Sequence, residues 1–260
     1  MPKLAANLSM LFNEVPFMER FDAAAKAGFK GVEFLFPYDF NLNEIADKLQ
    51  SNKLTLVLHN LPAGKWAEGE RGIAILPDRV GEFQDGVGTA IEAATKLGVK
   101  QVNCLAGKIV DGLSPDKARA TFISNLKFAA EKLKAAGIRL LMEPCNTYDM
   151  GPAFFLNRSK QGFDIIKEVG SDNLFLQYDI YHMQRMEGEL ANTIKDNLPL
   201  IKHMQLADNP GRNEPGTGEI NYQYLFKFID GIGYDGWIGC EYKPLTTTEA
   251  GLGWVKAHGC

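Results

Sequence analysis

Short apolar runs alternate along the whole chain with segments in which apolar side chains recur every three or four positions. The runs are Leu4–Met10, Gly31–Phe36, Leu54–Asn60, Val99–Leu105, Ile138–Glu143, Leu174–Asp179, Ile201–Asp208 and Trp237–Tyr242. A continuous apolar run is the pattern of a parallel strand covered on both faces. Helical spacing predicts helices over Val15–Ala27, Leu42–Leu49, Asp78–Leu97, Ser114–Ala136, a segment ending at Gly170, Tyr222–Ile232 and Thr246–Lys256. Stop and start signals agree. Gly28 and Gly137 close two of these helices, and Ser114-Pro115 opens one with a capping serine and a proline in the first turn. The sixth strand runs directly into Ile180–Arg185.

Alternating strand and helix patterns imply parallel strands joined by right-handed crossovers. There are eight such alternations, in 260 residues. That length is close to the roughly 250 of a closed (β/α)8 barrel. No G-x-G-x-x-G follows the first strand, which weakens an open dinucleotide-binding sheet. The expectation is α/β, a single TIM barrel over residues 1–260. Two connections stand out. Leu61–Pro77 is long enough to serve as a functional cover, and Asn209–Gly218 is rich in glycine and proline.

Composition changes this picture only by exclusion. Apolar residues make up 45% and charged residues 23%, as in ordinary soluble proteins. A net charge of −4 gives no basic footprint for a nucleic-acid partner. No run approaches the roughly 20 apolar residues of a membrane helix. Cys104, Cys145, Cys240 and Cys260 are scattered without a C-x-x-C pair, so neither a disulfide framework nor a zinc cluster is indicated. A reduced, cytoplasmic protein is expected, with a homo-oligomer left open.

Candidate chemistry sits at the strand ends. Arg139-Leu-Leu-Met-Glu-Pro144 drives an apolar strand into an acid, and a proline that cannot extend the ladder then stops it. Parallel barrels bind ligands at that carboxyl end. Asp179, Gln205 and Glu241 occupy comparable positions on later strands. Together with Glu143 they make three carboxylates and an amide, an oxygen-rich set that suits magnesium or manganese more than zinc. The bland alternative has each acid capping a neighbouring helix or pairing with a surface lysine. Four donors at corresponding strand ends favour one shared site.

His182, three residues beyond Asp179, either hydrogen-bonds a substrate oxygen or caps its helix. His59 either points at the mouth or packs under the long loop, and His203, deeper on its strand, reads as structural. Arg71, Lys108, Arg212 and Lys243 are cations able to anchor an anionic substrate, or else solvated surface groups. Trp66 and Trp237 read equally well as packing.

The chain resembles the hydroxypyruvate isomerase family, a branch of the xylose-isomerase-like barrels, over nearly its whole length. The pieces that carry the resemblance include Val32-Glu-Phe-Leu-Phe-Pro37, His59-Asn-Leu-Pro-Ala-Gly64, Gly69-Glu-Arg-Gly72, Gln177-Tyr-Asp-Ile-Tyr-His-Met-Gln-Arg-Met-Glu187, Glu214-Pro-Gly-Thr-Gly-Glu-Ile-Asn-Tyr222 and Gly239-Cys-Glu-Tyr-Lys-Pro244. The resemblance implies that Glu143 and Glu241 transfer protons, and that Glu143, Asp179 and Glu241 hold a divalent metal, Mg2+ or Mn2+. Where such relatives usually supply a histidine from the seventh strand, this chain has Gln205. His59, Glu70, Arg71, Lys108, His182 and Arg212 complete the expected contacts to a small anionic hydroxy-oxo acid. The implied reaction is an aldose–ketose isomerisation of hydroxypyruvate. Its nearest rival is the same chemistry on the four-carbon 2-oxotetronate, followed by 3-epimerisation of a free ketose. A phosphodiesterase acting on abasic DNA would need more histidines and a basic face. A carbohydrate-sensing module would have little use for three converging acids.

Overall fold

A computed structural model describes residues 2–257, so Cys260 and the outermost ends of the predicted 1–260 span lie outside it. Eight parallel strands close on themselves in chain order: β1 Lys3–Asn7, β2 Gly31–Glu33, β3 Thr55–Asn60, β4 Gln101–Cys104, β5 Arg139–Met142, β6 Leu174–Asp179, β7 Ile201–Leu206 and β8 Trp237–Cys240. β8 pairs with β1, so no edge is left open. The surrounding helices are α1 Arg20–Lys26, α2 Leu42–Ser51, α3 Val80–Leu97, α4 Pro115–Ala135, α5 Thr147–Met150, α6 Ser159–Val169, α7 Ile180–Met186, α8 Leu190–Asp196, α9 Tyr222–Gly231, α10 Thr248–Gly251 and α11 Gly253–Ala257. No helix among the described residues is long and apolar enough to cross a membrane.

Why the strands read as unbroken apolar runs is visible in their two faces. Val32, Leu56, Val102, Leu140, Leu176, Met204 and Ile238 belong to the large core between barrel and helices. Ala5, Val57, Leu58 and Leu141 form a small separate cluster, with Phe175 and Trp237 packed against it. Two residues further along several strands the same face turns polar: Ala5 gives way to Asn7, Leu141 to Glu143, and Phe175 to Gln177 and Asp179. The period of two along a strand therefore carries an apolar plug into a polar layer toward the carboxyl ends.

Several boundaries fall short of the expected ones. β1 stops at Asn7 because the Asn7 carbonyl accepts from both Met10 N and Leu11 N, and its side chain caps Ser9 N. β2 ends at Glu33, where the pairing with β3 shifts register. The first helix begins at Phe17 as a 3-10 turn, since Pro16 precedes it. The closing helix is broken into α10 and α11. The Ser114 cap is as expected, its side chain accepting from Lys117 N. Two short elements, α5 and α8, fall outside the predicted helices.

Candidate active site

The strand ends bring Glu143, Asp179, Gln205 and Glu241 to the carboxyl end of the barrel, all at most 8% exposed. Glu143 and Glu241 line a cavity of about 450 Å3 together with Asn60, Trp66, Arg71, Cys145, Asp149, His182, Arg212 and Lys243. Asp179 and Gln205, 0% and 1% exposed, do not line it but sit beside residues that do: Asp179 Oδ2 is 3.7 Å from His182 Nε2, and Gln205 donates to Glu241. A larger cavity, about 670 Å3, opens at the other end of the barrel among Lys100, Arg139 and Trp237, away from all four.

Glu143 and Asp179 are each held through one oxygen, Glu241 through both. Glu143 Oε2 accepts from Asn103 Nδ2 at 3.0 Å. Asp179 Oδ1 caps α7 by accepting from Tyr181 N and His182 N, while its buried Oδ2 has no hydrogen-bond partner in the protein. Glu241 Oε1 accepts from Arg212 Nη2 at 2.7 Å. Burial raises all three carboxyls, and the charges of neighbouring acids add to it. Burial, then the charges of Glu241 and Asp179, lift Glu143 well above the usual range. Glu241 is pushed up to about 8 by burial, against the pull of Arg212. Asp179 reaches about 6, again chiefly through burial. Raising a carboxyl in this way moves it toward the range in which it can both take and give a proton.

His182 is held in one tautomer. Asn146 N donates to its Nδ1 at 3.2 Å, so in the neutral ring the proton sits on Nε2. That nitrogen lies 3.8 Å from Glu143 Oε1 and 3.7 Å from Asp179 Oδ2. Burial, reinforced by Arg212 and Arg185, depresses its basicity and keeps the ring neutral. Glu143, Cys145 and His182 have potential ligand atoms within 4.8 Å of one another. The protonated Nε2, however, makes the histidine a hydrogen-bond donor there rather than a metal ligand.

Arg212 takes a left-handed backbone conformation (φ 57°) in the loop after β7. Asp208 shapes that loop, its carboxylate accepting from Asn209 N, Gly216 N, Gly218 N and Ile220 N. The guanidinium lies over the Tyr181 ring, 5.2 Å from its centre, and 3.6 Å from Asp149.

Not every candidate reaches the mouth. The β3 register sets Asn60 beside Asn103 and turns it inward, where its Oδ1 accepts from Asn103 Nδ2. His59, one residue earlier, does not line the cavity; its ring meets Tyr38 edge-on at 6.0 Å. Glu70 is engaged elsewhere, accepting from Arg79 and from Lys65 N. Lys108 also stands off the cavity and donates to Gly69 O. Both tie down the Leu61–Pro77 connection, whose Arg71 stacks on Trp66 at 4.1 Å and reaches the cavity wall with it. Trp66 is thus a wall residue as well as packing.

The Gln205 amide is turned away from the role of oxygen donor. Its Oε1 accepts from Gln177 Nε2 at 2.6 Å, and its Nε2 donates to Glu33 and Glu241. Asp179 Oδ2 is a buried oxygen with no partner in the protein, the kind of atom a cation would take, whereas Gln205 offers no oxygen in this orientation. Glu33, Asn7, Asn60, Cys145 and Asp149 were not singled out from the sequence. For Glu33 and Asn7, an uncompensated polar residue inside an otherwise apolar strand was the available signal.

The model of the xylose isomerase-like TIM barrel family matches residues 21–258. The chain belongs to that family. It is 56% identical over 258 residues to the hydroxypyruvate isomerase of Escherichia coli, covering 99% of this chain and 100% of that protein. The 2-oxo-tetronate isomerase of Cupriavidus necator is 48% identical over 258 residues, covering 99% of both. The solved structure of an AP endonuclease, family 2, from Brucella melitensis superposes with a TM-score of 0.96 at 46% identity, covering 99% of both chains. The hydroxypyruvate isomerase resemblance therefore holds over the full length, and the chain is an enzyme of the isomerase class.

Proposed function

We propose that the enzyme interconverts hydroxypyruvate and 2-hydroxy-3-oxopropanoate (tartronate semialdehyde) by proton transfer between Glu143 and Glu241. The observation that carries this reading is the pair of buried glutamates from β5 and β8 facing one cavity with a neutral, Nε2-protonated His182 and the Arg212 guanidinium. One glutamate takes a proton from the hydroxymethyl carbon, and the electron pair forms the double bond of an enediolate. The other returns a proton to the former carbonyl carbon, while the hydroxyl proton passes between the two oxygens. His182 Nε2–H and Arg212 stand where the oxygens gain charge, and donors fixed in advance at such a point lower the barrier. Arg71 and Lys243, on the cavity wall, suit the substrate carboxylate. A divalent ion, Mg2+ or Mn2+, would be held by Glu143, Asp179 and Glu241 and would supply Lewis-acid stabilisation of the enediolate.

The second reading is the same isomerisation of 2-oxotetronate. The relative of that name and a cavity of about 450 Å3, ample for a fourth carbon, favour keeping it. The endonuclease name of the Brucella protein is a weaker guide to the chemistry. His182 is the one histidine on the cavity wall among the described residues, where a hydrolytic metal cluster would want several. The test is turnover of both acids, side by side, by metal-stripped protein with and without added Mg2+ or Mn2+. Turnover of the three-carbon acid supports the first reading, turnover of only the four-carbon acid the second, and turnover of neither sinks both.

A further inference from the structure

Beneath Glu241, two side-chain amides bridge two carboxylates. Asn7 Nδ2 donates to Glu33 Oε1 at 2.9 Å and to Glu241 Oε2 at 3.0 Å. Gln205 Nε2 donates to Glu33 Oε1 at 2.7 Å and to Glu241 Oε2 at 2.5 Å. Each NH2 group thus divides its two hydrogens between the same two oxygens. Both amides are held this way round from behind, because Asn7 Oδ1 accepts from Ser9 N and Gln205 Oε1 from Gln177 Nε2. Glu33 Oε2 lies 2.7 Å from His203 Nε2, deeper in the barrel. Glu33 is 1% exposed and is not among the residues that line the cavity.

The seat for Glu33 is made by Gly239, which pairs with Gln205 on β7. A Cβ at that position would overlap Glu33 Oε1, Oε2 and Cδ. Any side chain there would evict the carboxylate. This glycine is two residues before Glu241 and has a negative φ, so room for Glu33, rather than backbone freedom, is what it supplies.

We propose that Glu33 is a positioning residue for Glu241. Lying over Gly239, it aims the four amide hydrogens of Asn7 and Gln205 so that Glu241 Oε2 is pinned by two donors while Oε1 stays on Arg212 at the cavity. The inference rests on Glu241 being a proton-transfer residue. It also gives Gln205 a task that an oxygen ligand could not perform, since only an NH2 group reaches both acids at once.

The test compares Glu33→Gln, Glu33→Leu and Gly239→Ala. Glutamine keeps one oxygen in place to accept from both amides, so kcat should stay within about fivefold of the wild type. Leucine, and alanine at 239, should each lower kcat about 100-fold with KM changed less than about threefold, the scale of an ångström of misplacement. A merely structural role predicts normal kcat per folded molecule in all three. The side-chain NH2 signals of Asn7 and Gln205, read by 15N NMR, need no turnover. They should be protected from hydrogen exchange in the wild type and in Glu33→Gln, and exposed in the other two. Unchanged protection in Glu33→Leu overturns the positioning role. Loss of protection without any wild-type turnover keeps the clamp and sinks the catalytic reading instead.

Discussion

Glu143→Gln and Glu241→Gln preserve side-chain shape and one acceptor oxygen while removing the group that carries the proton. General acid–base residues contribute about 10²–10⁴-fold, so each variant should lose that much in kcat with little change in KM. A residual kcat above a tenth of the wild type in either would remove it from the proton-transfer pair. Sequence pattern located both residues well, because an apolar run ending in an acid marks a strand end whatever its neighbours. It located His59 poorly. The shift of register between β2 and β3 lets Asn60 take the inward position, and no local pattern reports such a slip. His59 consequently titrates as a buried ring, with burial pushing it down to about 4. The unfolded chain binds its proton near pH 6.5, so the folded state holds fewer protons between those values. Stability should fall as pH drops below about 6.5, the loss being complete below about 4 and worth about 3 kcal/mol. Urea unfolding of wild type and His59→Gln at pH 7 and 4.5 checks this, and an equal drop in both proteins would refute it.

At the scale of the element, the loop after β7 shows how an acid that ends a strand can serve structure alone. Asp208 reads from the sequence like the other strand-end acids, yet it accepts from four backbone N–H groups and does not line the cavity. Those contacts fix the turn on which Arg212 sits, since Arg212 N also donates to Asp208 O and Lys243 N donates to Arg212 O. Asp208→Ala leaves four backbone donors, that of Ile220 buried, without their acceptor and should cost about 2–3 kcal/mol, hydrogen bonds to a charged group being the stronger kind. It should also lower kcat at least about tenfold through a displaced Arg212. Wild-type kcat in a destabilised variant would show that Arg212 holds its place without the loop. The same distinction explains the long connection. Its length drew attention to it, and it places Trp66 and Arg71 on the cavity wall, while the contacts that anchor it, Glu70 to Arg79 and Lys108 to Gly69 O, are not legible in the loop's own sequence.

For the molecule as a whole, closure of the barrel is what turns scattered residues into one site. Eight alternations in the chain were enough to read the closed sheet and the end that carries the chemistry. The partnership of Glu33 on β2 with Gln205 on β7 and Glu241 after β8 was not readable, because it exists only across the barrel interior. Closure also concentrates Glu143, Asp179 and Glu241 where water screens them little, and Arg212 offsets only part of that charge. A bound divalent cation would relieve the repulsion in the folded state and have no equivalent site in the unfolded chain. Metal at about 100 times its dissociation constant should therefore stabilise the fold by about 2.7 kcal/mol. At this chain length that is a rise in Tm of roughly 5–10 °C. Asp179→Asn removes the carboxylate whose buried Oδ2 has no hydrogen-bond partner and should abolish most of that rise, whereas Lys108→Met, a residue off the cavity, should leave it intact. Differential scanning calorimetry of metal-stripped protein with increasing Mn2+ or Mg2+ makes the comparison. A wild-type Tm indifferent to both ions would mean that Arg212 and the shared protons balance the three acids by themselves. An equal rise in Asp179→Asn would place the ion somewhere other than this cluster.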